Sequence, residues 1–108
     1  MPVYKKLVRD KIPEIIAKEG KEFSTKILSK EEYVSSVNEK MEEELDEYLQ
    51  AETNVEAVEE LADLLELIHA ASSALGANIE EVEKVRKEKA IKRGGFEDRI
   101  FLIDVEDD

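Results

Sequence analysis

A chain of 108 residues has room for one domain with a single small core, and helical chains of that size often complete their burial by assembling with copies of themselves. Its net charge of -12 argues against nonspecific binding of nucleic acid, although a bound cation and a few local basic side chains can reverse the sign of one pocket. The absence of cysteine excludes disulfides, thiolate catalysis and cysteine-ligated zinc, and with neither a membrane-length apolar run nor a signal-peptide core the expectation is a soluble cytoplasmic protein with no membrane partner.

Asp10 is placed to cap a first helix, with Pro13 in its first turn and Gly20 at its end. Ile12, Ile15 and Ile16 give that helix an apolar side. Residues 22–28 read as a short extended piece, because Phe23 and Thr25 favour strand. Ser29 with Glu32 forms a capping box that opens a long second helix, Lys30 to Ala51, with an apolar stripe of Val34, Val37, Met41, Leu45 and Tyr48. Asn54 is predicted to cap a third helix that carries Val58, Leu61, Leu65, Ile68 and Leu75 and stops at Gly76. Asn78 with Glu81 starts a fourth, which ends at Gly94-Gly95. Ile100 to Val105 reads as a second short strand able to pair with the early one. No repeat or linker divides the chain, so residues 1–108 are predicted to form one all-α domain: an antiparallel helical hairpin bundle with a minor pair of short strands.

The second and third helices carry four acids in mirror-image positions. Glu44 and Glu47 lie on one, Glu60 and Asp63 on the other, each pair at i, i+3 and therefore on one helix face. A fold-back between Thr53 and Asn54 sets Glu47 opposite Glu60 and Glu44 opposite Asp63. Carboxylates that close repel unless they are protonated or neutralised, and a hard divalent cation such as Mg2+ is the natural neutraliser. The competing reading is a solvated charged face, common in a chain with 41% charged residues. Against it, Glu44 falls beside the apolar stripe, at i+3 from Met41 and i-4 from Tyr48, and the acidic face of the third helix continues into Ala70 and Ala74.

The fourth helix supplies opposite charge. Ile79, Val82, Arg86, Lys89, Ala90 and Arg93 share a stripe that begins apolar and becomes basic toward Arg93-Gly94-Gly95-Phe96. Beside four carboxylates, such an end suits a metal-bound polyphosphate. Alternatively, it is a helix C-terminus with favourable dipole charges and a glycine stop.

Glu44-x-x-Glu47, twelve residues, then Glu60-x-x-Asp63, with Lys40 and Glu43 ahead, resembles the signature of the all-α NTP pyrophosphatases. The opening Lys6-Leu7-Val8-Arg9-Asp10-Lys11-Ile12-Pro13 and the Arg93-Gly94-Gly95-Phe96 element are similar to the small single-domain branch described as MazG-like or phosphoribosyl-ATP pyrophosphohydrolase-like. The resemblance spans nearly the whole chain. It implies hydrolysis between the α- and β-phosphates of a nucleotide substrate, giving a monophosphate and pyrophosphate. Glu44, Glu47, Glu60 and Asp63 correspond to the metal ligands, for Mg2+ or Mn2+. Glu43 corresponds to the acid that orients or deprotonates the attacking water. Lys40, Lys89 and Arg93 correspond to cations that contact phosphates. The resemblance also implies a homodimer or homotetramer.

Two other classes of function stand beside this one. Glu66-x-x-His69 has the spacing of di-iron carboxylate bundles, and dimerisation could supply a second copy, with Glu44 or Glu47 completing the site. The basic stripe has no role in that arrangement. A non-catalytic acidic module that holds a basic partner or a structural cation is the other alternative.

Overall fold

The computed structural model describes residues 4–107. Its elements, in order, are α1 (Ile12–Lys18), α2 (Lys30–Gln50), α3 (Asn54–Ala74) and α4 (Ile79–Arg93). The fold class is all-α, a helical hairpin with a further helix laid along it. No β-strand forms among the described residues, so the expected pair at 22–28 and 100–105 is not seen. Both stretches are largely exposed, and strand-favouring side chains need a pleated, half-buried surface to act on.

Side-chain caps fix the three long helices. The Ser29 hydroxyl accepts from the Glu32 N–H at 3.2 Å while the Glu32 carboxylate accepts from the Ser29 N–H at 3.1 Å, completing the capping box. The cap of α3 is Thr53, one residue earlier than expected, and its hydroxyl accepts from the Glu56 N–H. Asn78 caps α4 through the Glu81 N–H at 2.9 Å. Asp10 caps nothing: the Arg9 carbonyl accepts from the Ile12 N–H, and Lys11 precedes α1 in a helical conformation with no side-chain cap. After α3, Gly76 takes the left-handed conformation (φ 79°). There the Ala77 N–H reaches the Ser72 carbonyl and the Gly76 N–H that of Ser73, a Schellman stop.

Helices α2 and α3 fold against each other across the three-residue connection 51–53 and form the main packing contact, and α4 returns along α3 with a lighter one. The α2 face turned inward is Val34, Val37, Met41, Glu44 and Tyr48; that of α3 is Ala57, Glu60, Leu64, Leu67, Ala71 and Ala74. Both advance by alternating steps of three and four residues, the spacing of a packed helical seam. Val37 and Leu67 are the buried apolar core, and Val34 and Val37 share a small cavity with Ala71 and Ala74. Leu45, Val58, Leu61, Leu65 and Leu75, read from the sequence as core stripe, point to solvent instead. Helix α3 has two apolar faces, and the hairpin uses the one with smaller residues, which allows closer approach.

The fold is open. Its radius of gyration is 18.6 Å, against about 13 Å for a compact domain of this length. It exposes 10142 Å², where a compact monomer of this mass exposes roughly 6,100 Å². Among the described residues no helix is long and apolar enough to cross a membrane.

Candidate metal centre

Two glutamates occupy seam positions of the α2–α3 hairpin, where hydrophobic residues belong. The connection is centred on Glu52, and Glu44 and Glu60 each stand eight residues from it, so they face each other at one level of the seam. The sequence-based pairing placed the fold-back between Thr53 and Asn54 and set Glu44 opposite Asp63; α2 ending at Gln50 and α3 capped by Thr53 centre the connection on Glu52 and shift the register. Glu47, one turn from Glu44 toward the connection, closes the group. One carboxylate oxygen from each of Glu44, Glu47 and Glu60 lies within 4.8 Å of the other two, the one such cluster of His, Asp or Glu among the described residues.

Glu44 is only 8% exposed. Its Oε2 and the Oε2 of Glu60 are shielded from solvent, and neither receives a hydrogen bond. An unpaired carboxylate removed from water is costly, and two facing each other are costlier. Protons are one remedy. Burial, followed by the adjacent carboxyl of Glu47 and its charge, pushes the Glu44 carboxyl upward, opposed by the contact with Glu60. Glu60 is pushed up to about 7, first by the facing carboxyl of Glu44 and then by that of Glu47. Without a cation, then, Glu60 is the natural carrier of a proton shared with Glu44. A hard divalent cation is the other remedy, and the donor set suits one: carboxylate oxygens only, no nitrogen and no sulfur.

Asp63 stands beside this triad rather than in it. Its charge reaches Glu44 and adds to the upward push there. Its Oδ1 accepts a hydrogen bond from Arg9 Nη2 at 2.7 Å. Arg9 had no role in the sequence reading; an arginine ahead of a proline-bearing helix carries no local signal that its partner lies 54 residues away. Glu43 is exposed on α2, and Lys40 is half-buried one turn before Glu44. Lys89 and Arg93 are exposed on α4. Among the described residues no hydrogen bond or ion pair joins Lys40, Lys89 or Arg93 to the four acids. Glu66 and His69 are exposed and outside the triad; His69 lines an open cleft between α3 and α4 with Leu65, Ile79 and Lys87. No protein-family model, curated protein or solved structure matches the chain.

Proposed function

We propose that this protein is a Mg2+-dependent nucleotide pyrophosphohydrolase of the small, single-domain MazG-like type, with Mn2+ as an alternative cation. It cleaves the α–β phosphoanhydride of a nucleoside triphosphate, or of phosphoribosyl-ATP, to monophosphate and pyrophosphate. The observation that carries this reading is the pair of shielded, donorless oxygens on Glu44 and Glu60 within an all-oxygen cluster. A packed core gains nothing from such a pair, whereas a divalent cation needs one. The ordered sequence elements, from Lys6-Leu7-Val8-Arg9 to Arg93-Gly94-Gly95-Phe96, support a nucleotide as the substrate.

In this reading Glu44, Glu47 and Glu60 hold the cation, with Asp63 beside them as the fourth acid. When bound, the cation would supply Lewis acidity at the phosphate oxygens and offset charge on the leaving pyrophosphate. Glu43 orients a water and takes its proton as the water oxygen attacks the α-phosphorus. The bond from phosphorus to the α–β bridging oxygen breaks, and that oxygen departs with pyrophosphate. Lys40, Lys89 and Arg93 donate to phosphate oxygens. The working form is a homodimer or homotetramer. Support comes from roughly 4,000 Å² of exposed surface beyond the compact expectation and from the outward α3 stripe of Val55, Val58, Leu61 and Leu65.

The test is pyrophosphate release from a panel of standard and noncanonical nucleoside triphosphates and phosphoribosyl-ATP, with Mg2+ and with EDTA. Release that needs Mg2+ and fails in Glu44→Gln supports the assignment. Silence across the panel from folded, Mg2+-loaded protein overturns it and moves weight to a binding module.

A further inference from the structure

Among the described residues Arg9 is the one cation that an ion pair ties to an acid of the quartet, and the chemistry above leaves it without a task. We propose that Arg9 is a further substrate-contacting residue: it holds Asp63 while the acidic site lacks a cation, and turns to the phosphates of the substrate once a divalent cation claims that carboxylate. The inference rests on the reading of the site as a metal-dependent phosphoanhydride hydrolase.

Three features of the pair support a transferable contact over a fixed structural one. First, both partners are substantially exposed, with side chains 58% and 41% accessible, and exposed ion pairs contribute little to stability. Second, the contact is single. Nη2 alone reaches Oδ1, and a guanidinium has five N–H donors in a fork that matches phosphate oxygens. The remaining donors of the fork make no other hydrogen bond among the described residues. Third, the backbone holds Arg9 in place, because its carbonyl accepts from the Ile12 N–H at 3.1 Å in the turn that opens α1. The guanidinium is thus delivered beside the acids, while its tip stays free to exchange one oxyanion for another. The buried, donorless oxygen of Glu44 points independently to a cation at this cluster. A cation there competes with Arg9 for Asp63, and a polyphosphate that arrives with it brings oxyanions to the released guanidinium.

Two binding measurements on the full chain test this without any turnover. Mn2+ alone is titrated into wild type, Arg9→Ala and Arg9→Lys, and pyrophosphate is then titrated into each Mn2+-loaded protein. Removing the competitor should tighten Mn2+ binding about two- to fivefold in Arg9→Ala, the span expected for loss of an exposed ion pair. The same variant should bind pyrophosphate about tenfold or more weakly, as loss of a charge-assisted hydrogen bond requires. Arg9→Lys keeps a charge near Asp63 and should return Mn2+ affinity toward wild type while recovering little pyrophosphate binding. Unchanged or weaker Mn2+ binding in Arg9→Ala, or unchanged pyrophosphate binding, overturns the assignment of Arg9 alone. Failure of wild type to bind Mn2+ overturns the metal reading itself, and this proposal with it.

Discussion

Metal-free protein should lose stability as pH rises through the range in which Glu60 ionises. In the unfolded chain this carboxyl titrates near the ordinary glutamate value of 4.5, and in the folded protein it is pushed up to about 7. Between those values the folded state holds a proton that the unfolded state has released. At a pH near 5.8, midway between them, the difference is about 0.9 proton. The sign follows directly: where the folded state binds more protons, stability falls as pH increases. The stabilising contribution of protonated Glu60 is therefore complete below about 4.5, declines across the window, and is gone above about 7. The upward push on Glu44 acts in the same direction. Urea unfolding in EDTA at fixed protein concentration, every half pH unit from 4.5 to 8, gives the slope for wild type. The same series on Glu60→Gln gives the background from all other acids. The wild-type curve should fall more steeply by close to one proton at mid-window, and the two should run nearly parallel by pH 8. Parallel curves throughout would refute the argument that Glu60 shares a proton in the seam.

Glu44→Gln should abolish turnover and raise the stability of the metal-free protein by on the order of 1 kcal/mol, since it removes a buried charge with no donor; chemical denaturation in EDTA reads the stability. Val37→Ala should cost about 2 kcal/mol, because Val37 is 1% exposed in the α2–α3 seam, and a loss well under 0.5 kcal/mol in the same assay would mean the α2–α3 seam is misplaced. Lys89→Ala and Arg93→Ala, both exposed on α4, should raise KM about tenfold with helix content unchanged by circular dichroism.

Local chemistry made the helices legible in the sequence. Ser29 with Glu32, Asn78 with Glu81, and Gly76 and Gly94 bracket elements whose ends depend on backbone bonds within a few residues. The acids at i, i+3 on two neighbouring helices were equally legible, because that spacing is a property of one helix. Their pairing across the hairpin was not. It depends on where the connection is centred, and a shift of one and a half residues, from between Thr53 and Asn54 to Glu52, moves Glu44 from Asp63 to Glu60. Which apolar face of α3 enters the seam was also hidden. Val58, Leu61 and Leu65 make a stronger hydrophobic signal than Ala57, Ala71 and Ala74, yet the small residues let the backbones approach and the large ones remain exposed. Arg9 lay furthest from view, since its contact with Asp63 is set by tertiary structure.

The most direct test of the central claim is the fate of the solvent oxygen during turnover in heavy-oxygen water with Mg2+, followed by phosphorus NMR and mass spectrometry. The account predicts the label in the nucleoside monophosphate, unlabelled pyrophosphate as the only other product, and no reaction in EDTA. Label in inorganic phosphate with a nucleoside diphosphate remaining, or hydrolysis indifferent to EDTA, would contradict it.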